Sequence, residues 1–463
     1  MRTDNTDALV VGAGLSGLVC AAKLAQKGLK VTVLDENPLP GGQFLRRLKS
    51  RLTPLELKSK PSPIRTGHEF LEKVKQQKIR IHPLSEVVGI FDQNQVLVHE
   101  GNHTFCINPN LMLLATGARE KFLPFPGWDI PGVISTGALQ SFMKSSGLMP
   151  SKEFLFYGAG PLLWAGAGEV LKHGADVKGI LHTHSLAAIW PRPGQLRAQG
   201  AKLREGLGYL AGFLAHRVQH RFNTVVIKAR GKSFLQEVIT ARLDDAGQVL
   251  SGTESRYETA CLATGHGFAP NVESAQQAGC DLAFEPSLGG FIVKTSVDLQ
   301  SSVENVFAAG EITGIGGALK SLLEGELAAY GMLKKMGHSV SENDMTTLMA
   351  KRKAHLAFCE WLNRLTAYPG SWLHNLPDET IVCRCEDITA GNLRKAVDMG
   401  HNTPLALKRF LRLGMGPCQG RTCLPIAYDF LAGYRTRPLA KDELLSTRPP
   451  LKPVPLGHLL DQE

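Results

Sequence analysis

The pattern of apolar and polar positions opens on a short buried strand, Ala8-Leu9-Val10-Val11, followed at once by Gly12-Ala13-Gly14-Leu15-Ser16-Gly17. Leu18 to Lys27 has helical patterning, and Val31-Thr32-Val33-Leu34 is a second apolar run ending at Asp35, 23 residues after Gly12. Strand, glycine turn, helix, strand and acid in this register make a βαβ dinucleotide fingerprint. Gly12 makes the tight turn, Gly14 lets the backbone approach a pyrophosphate on the helix N-terminus, and Gly17 allows close packing of helix on strand. Leu15 and Ser16 supply amides of that first turn. Asp35, with Glu36 beside it, can accept from a ribose hydroxyl. Pro40-Gly41-Gly42-Gln43 adds a turn just past the acid, which makes Gly42 and Gln43 candidates to line the nucleotide.

Leu48 to Pro63 is basic and Pro-containing and is expected to be a connector. Gly67 to Lys78 is expected to be helical, and two strand pairs fill Ile79 to Phe105. Leu111 to Leu114 is an apolar strand running into Ala115-Thr116-Gly117, and Leu262-Ala263-Thr264-Gly265 repeats that pattern. The repetition points to two similar nucleotide-binding folds, one inserted into the other. Within the insert, Phe154 to Tyr157 precedes Gly158-Ala159-Gly160-Pro161-Leu162-Leu163, a second fingerprint lacking its third glycine. Its second strand, Val177 to Leu181, ends in His182-Thr183-His184, with neither an acid for a ribose 2′-hydroxyl nor an arginine for a 2′-phosphate. That argues against NAD(P) binding there and favours a retained structural domain; the histidines are expected at the surface. Val306 to Ala309 is a further strand ending in Gly310-Glu311, where an acid and helix N-terminal amides can hold a cofactor's phosphate and polyol groups. The loop continues through Gly317 into a helix from Leu319 to Met336 with small residues on one face.

Cysteine usage changes the picture near the C-terminus. Cys383-Arg384-Cys385 is followed after 32 residues by Cys418-Gln419-Gly420-Arg421-Thr422-Cys423, so four of nine cysteines fall within 41 positions. Two close pairs of thiolates are what a [2Fe-2S] cluster needs, since each iron takes two sulfurs. Gly414, Gly416 and Gly420 allow the backbone to wrap closely and turn amide N–H groups toward an anionic cluster. Zinc is the main rival, though C-x-C is tight for its usual spacing, and structural cysteines are the bland alternative. Helical patterning over Thr389–Met399 and Leu424–Ala432 flanks the pairs, and Pro438, Pro449, Pro450, Pro453 and Pro455 mark a tail expected to lie extended over the body or over a partner subunit. The resulting division is a discontinuous dinucleotide domain at 1–126 and 261–345, a second, degenerate one at 127–260, a connector at 346–377, a cluster domain at 378–435 and a tail at 436–463.

Length and charge narrow the class. A chain of 463 residues can bury several cores. The net charge of +10 is concentrated in Lys27–Arg80, with thirteen Lys/Arg against five acids, and in Ala187–Lys232, with nine against one. These stretches lack interleaved aromatics or any nucleic-acid motif, so no nucleic-acid partner is expected. There is no apolar run long enough to span a membrane and no secretory leader before the first strand. Paired and unpaired cysteines together suit a reducing compartment. A cytoplasmic location is expected, with peripheral attachment at the inner membrane face left open.

The Gly12 turn, the paired Ala-Thr-Gly turns and Gly310-Glu311 resemble the two-dinucleotide-fold flavoprotein reductases, and Gly414-Met415-Gly416-Pro417-Cys418-Gln419-Gly420-Arg421 resembles the bacterioferritin-associated-ferredoxin (BFD) type of [2Fe-2S] domain. Together they resemble the α subunits of heteromeric amino-acid dehydrogenases, a group that includes the opine oxidases, the D-hydroxyproline and L-proline dehydrogenases and the corresponding component of hydrogen cyanide synthase. The resemblance implies an α/β fold: two nested Rossmann-like domains of the flavoprotein disulfide-reductase kind, without the redox disulfide, plus a small mainly α BFD-like domain. It implies FAD held by Gly12, Gly14, Leu15, Ser16, Gly17, Asp35, Glu36, Gly42, Gln43, Ala115, Thr116, Gly117, Gly310, Glu311 and Gly317. It also implies a [2Fe-2S] cluster on Cys383, Cys385, Cys418 and Cys423. A partner β subunit with its own FAD would oxidise the amine, and some relatives hold FMN between subunits and add a small ferredoxin-like subunit. Glu311 departs from the usual Asp of the reductases. The expected role is an electron-transfer subunit delivering to an external acceptor. A self-contained NAD(P)H-dependent flavin/iron–sulfur reductase and a redox-silent nucleotide-binding scaffold are the competing readings.

Overall fold

The computed structural model describes residues 3–46, 62–77, 79–91, 95–189, 200–366, 372–434 and 443–459. The expected connector Leu48–Pro63 lies outside them up to residue 61, as do Lys78 at the end of one expected helix and Pro438 in the tail. The chain divides into two compact units. One takes Met1–Arg119, Ala269–Glu360 and Leu445–Glu463, and the other Glu120–Phe268 and Trp361–Leu444.

The first unit is built on the strand Thr3–Val11, longer than its apolar core Ala8–Val11 because Thr3–Thr6 pair in parallel with Cys106–Pro109. On one side it pairs in parallel with Val31–Leu34, and that strand with Arg80–His82. On the other side lies His103–Leu114, which carries Val306–Ala308 in parallel at one end and the antiparallel strands Val96–Glu100 and Ser85–Ile90 at the other. The helix Leu15–Ala25 starts earlier than its apolar periodicity, directly after Gly14. Its small, apolar residues are buried with Leu327, Ala328 and Met332 of the helix Gly317–Lys335, and such burial stabilises by roughly 25 cal/mol per Å² of apolar surface. The tail's described part, 443–459, returns to this unit. The Leu451 N–H donates to the Val88 carbonyl at 2.8 Å, and Lys452 bonds Glu36 and, at 3.3 Å, Glu86.

The second unit has an all-parallel sheet with Glu153–Gly158 at its centre, flanked by Asp176–His182 and Leu262–Gly265, with Gln219–Arg221 and Val133–Ser135 at the edges. A three-stranded antiparallel sheet, Thr224–Arg230, Glu237–Arg242 and Ser255–Glu258, follows it. The cysteine segment belongs to this unit. It comprises the small ladder Ile381–Cys383 with Ile388–Thr389 and the helices Ala390–Asp398, Pro404–Leu411 and Cys423–Gly433. Thr389 and Asn392 form a capping box on the first of these helices. Thr403 and Pro404 start the second, which apolar patterning alone does not mark. His182, expected at the surface, is fully buried, because it stacks on Phe222 and His220. Among the described residues no helix is long and apolar enough to cross a membrane.

Candidate functional site

The first site forms where the strand Thr3–Val11 ends. Gly12 has φ +107°, and a Cβ there would stand 2.4 Å from the Ala115 carbonyl oxygen. A Cβ on Gly17 would stand 1.9 Å from the Gly12 carbonyl oxygen. Gly14 faces open space and caps the helix with no side-chain hydrogen bond. Its first-turn amides, those of Leu15 and Ser16 included, are therefore not satisfied by a capping side chain, which suits a pyrophosphate. Gly42, at φ +57°, packs its Cα close to Gly14, and Gly41 N–H donates to the Ala13 carbonyl at 2.8 Å. Gln43 stands exposed beside it.

Asp35 is buried, and its carboxylate accepts from the Ala13 N–H at 2.6 Å and from the Asn37 N–H and side-chain amide at 2.8 and 2.9 Å. It thus shapes the turn as well as standing at the strand end. Glu36 is exposed and tied to Lys452. Ser16 Oγ donates to the Ala309 carbonyl at 3.3 Å, which joins the first turn to the Gly310 motif. Thr116 and Gly117 turn toward Asn271: Thr116 Oγ1 donates to its carbonyl at 2.7 Å, and its N–H donates to the Gly117 carbonyl at 3.0 Å.

Glu311 spans back to the loop ahead of it. Its two carboxylate oxygens accept from Gly316 N–H at 2.9 Å and Gly317 N–H at 2.6 Å, so it caps the helix Gly317–Lys335. Burial raises its pKa, against Lys320 and the two amides. Each oxygen keeps lone pairs for hydroxyl donors of a bound polyol. Beneath it lies a charged group that the sequence pattern did not reveal. Lys320, 1% exposed, donates to the Gly310 carbonyl, Thr313 Oγ1 and Glu324, at 2.6, 2.6 and 2.8 Å. Glu324, fully buried, also accepts from Gly310 N–H at 2.8 Å and from Arg352 at 2.7 Å. Burial alone would raise the Glu324 pKa, but Lys320 and Arg352 outweigh it and hold it low. The helix Glu342–Leu365, read from sequence largely as connector, presents Arg352, His355 and Cys359 here, the last two on the Gly316 carbonyl at 3.0 and 3.3 Å. The i,i+4 spacing of Lys320 and Glu324 was the one sequence signal for this group.

The second site gathers the four paired cysteines. The thiols of Cys383 and Cys423 lie within hydrogen-bond reach of each other, as do those of Cys385 and Cys418. The Cys383 pKa falls to about 6, because the Cys423 thiol and the N–H groups of Cys385, Glu386 and Gly414 stabilise its thiolate against burial. The Cys423 pKa rises, through its bond to Cys383 and through burial. Burial raises Cys418, but the N–H groups of Thr422 and Gly420 and the Cys385 thiol bring it below its ordinary value. The Cys418 N–H lowers Cys385, yet burial and the Cys418 thiol leave it raised. Gly414 and Gly420 thus turn amides onto sulfur, whereas Gly416 makes room: a Cβ there would lie 2.2 Å from the Cys385 Cβ. Among the described residues no three His, Cys, Asp or Glu gather as around a single ion. Two contacting pairs of thiols suit two irons with two sulfurs each. Arg384, between two of the cysteines, stacks on Trp128 at 3.9 Å and donates to its carbonyl at 2.8 Å, while Trp128 Nε1 donates to the Ile381 carbonyl at 2.6 Å.

Comparison with known proteins gives both sites a family. Residues 6–332 match the pyridine nucleotide-disulphide oxidoreductase family, and residues 381–432 match the BFD-like [2Fe-2S] binding domain. The chain is 29% identical to the larger-lettered relative known as the A component of opine oxidase in Rhizobium meliloti (strain 1021), over 98% of each chain. It is 28% identical to the HcnB component of hydrogen cyanide synthase in Pseudomonas aeruginosa, again over 98% of each. The fold superposes on L-proline dehydrogenase from P. horikoshii with a TM-score of 0.72 at 19% identity, over 99% of this chain and 80% of that one. The chain belongs to the pyridine nucleotide-disulphide oxidoreductase family, in the α-subunit group that adds a BFD-like [2Fe-2S] domain, and it is an oxidoreductase subunit that binds FAD and a [2Fe-2S] cluster.

Proposed function

We propose that this chain is the electron-transfer α subunit of a heteromeric amino-acid or opine-type dehydrogenase acting on CH–NH or CH–NH2 donors. A β subunit with its own FAD takes two electrons and two protons from the C–N bond and leaves an imine. The electrons cross to this chain and depart singly to an external acceptor. When bound, FAD couples two-electron to one-electron steps, and the cluster carries one electron at a time. The chain's own residues place these groups. Gly12, Gly14, Leu15, Ser16, Gly17, Asp35, Glu36, Gly42 and Gln43 serve the adenosine and phosphate half. Ala115, Thr116, Gly117, Gly310, Glu311 and Gly317 serve the flavin side, and Cys383, Cys385, Cys418 and Cys423 hold iron.

One observation carries this reading: a chain with an open dinucleotide turn also holds two thiol pairs with backbone N–H groups turned onto their sulfurs. Its test is amino-acid-dependent dye reduction by the chain alone and by the chain co-purified with its partner. Turnover is expected only from the complex, and full activity from the isolated chain would overturn the reading.

A further inference from the structure

The second dinucleotide fold keeps its sheet and its glycine turn, so it raises the question of what occupies its crevice. In doubly wound sheets a nucleotide lies outside the carboxyl ends of the strands, where the strand order reverses. Here that point lies between Glu153–Gly158 and Leu262–Gly265, whose ends run into Gly158-Ala159-Gly160 and Gly265-His266-Gly267. We propose that this crevice is filled by the chain itself, with Thr366 as the plug. Neither NADH nor NADPH then feeds electrons into the protein, and the fold serves as the seat of the cluster segment. The inference rests on the electron-transfer reading for where electrons enter instead, namely from the partner subunit.

Thr366 touches both sides of the crevice. A Cβ added to Gly160 would lie 2.8 Å from its Cγ2, and one added to Gly267 would lie 2.7 Å from its Oγ1. Its methyl and hydroxyl therefore rest on the backbone that a pyrophosphate approaches when it sits on such a turn. The hydroxyl is turned away from any ligand, donating to the Asn363 carbonyl at 2.7 Å.

The adenosine end is closed independently. His182 stands at the end of Asp176–His182, where an acid or arginine would read the ribose. It is fully buried, stacked on Phe222 at 4.5 Å and on His220 at 5.3 Å, with its Nε2 3.0 Å from the His220 Nδ1. Burial, with His184 and His220 adding to it, lowers its pKa to about 3, so it offers neither a carboxylate nor a cation.

What the fold does instead is visible in its core. Leu155, Tyr157 and Leu262 of its strands share one buried cluster with Val382, Cys383 and Phe430 of the cysteine segment. Lys121 pairs with Asp429 at 2.7 Å. The sheet that would have carried a nicotinamide nucleotide carries the iron–sulfur segment.

The test uses the full chain, loaded with FAD and cluster and bound to its partner, mixed anaerobically with NADH and separately with NADPH up to millimolar concentration. The flavin absorption band is expected to show no saturable bleaching, and saturable bleaching by either nucleotide overturns the inference. Thr366→Gly, with iron content unchanged, is expected to tighten nucleotide binding by about tenfold or more, read by NADH fluorescence. If that variant loses iron, Thr366→Ala takes its place. A loaded variant with no gain in binding removes Thr366 from the role of plug. Amine-dependent dye reduction on the same samples separates the two readings. A complex active with amine and also bleached by NADH sinks this inference alone. One inert toward amines and unbleached by NADH sinks the electron-transfer reading alone.

Discussion

Lys320 is the residue whose loss should be felt most. Its ammonium is the buried counter-charge of Glu324, and both bond Gly310. Removing one partner of such a pair leaves an uncompensated buried charge, at about 3–5 kcal/mol. Lys320→Met is therefore expected to lower the denaturant midpoint strongly and to release flavin, while the double change with Glu324→Leu recovers much of the stability. Two buried histidines set a second expectation. Burial lowers the pKa of His182 and of His266 to about 3, aided by His184 and His220 at the first and by Lys121 at the second. Unfolded imidazole protonates near its ordinary 6.5, so between that value and about 3 the unfolded chain binds more protons than the folded one. Stability is full above the upper limit and is lost as pH falls, by up to about 1.4 kcal/mol per pH unit for each histidine. Urea midpoints measured down that range should decline, and the His182→Phe variant should decline less steeply.

At the scale of elements, the contact between the helices Leu15–Ala25 and Gly317–Lys335 depends on two missing methyl groups. A Cβ on Gly325 would stand 2.4 Å from the Ser16 carbonyl oxygen, as one on Gly17 would crowd Gly12. Gly325→Ala is expected to cost about 1–3 kcal/mol by overpacking and to weaken flavin retention, read as free flavin after gel filtration. Much of this layer was legible. Gly12, Gly14 and Gly17 report turn geometry and close approach directly, because nothing larger fits, and a strand ending at Asp35 needs only a period of two. The small face of the helix from Gly317 was also visible as composition. The pairing of Lys320, Glu324 and Arg352 was not, since two helices distant in sequence meet only after folding, and the charged helix Glu342–Leu365 carries no clean apolar stripe to announce its docking. Thr366 was equally silent: its contacts with Gly160 and Gly267 span 206 and 99 positions, and its chemistry is ordinary. Thr403-Pro404 is a readable helix start, masked by the stronger signal of the cysteines beside it.

At the scale of the whole molecule, the two candidate cofactor sites fall in different compact units, the Gly12 turn in one and the thiol pairs in the other. Cys418→Ser is therefore expected to abolish iron and acid-labile sulfide while leaving bound flavin near its unmutated level. Iron content by absorption and flavin released on heating would check this, and joint loss of both would speak against independent sites. The chain's path between the units has a further consequence, for biogenesis. The flavin unit draws on three separate stretches, the last beginning at Leu445, beyond the cysteine helices. A nascent polypeptide emerging from the ribosome exposes its dinucleotide turn early, yet lacks Leu451 and Lys452 to clasp Val88 and Glu36 until the iron-binding segment has already been synthesised. Translation order thus lets the metal-binding half mature first and leaves the flavin half to be finished last.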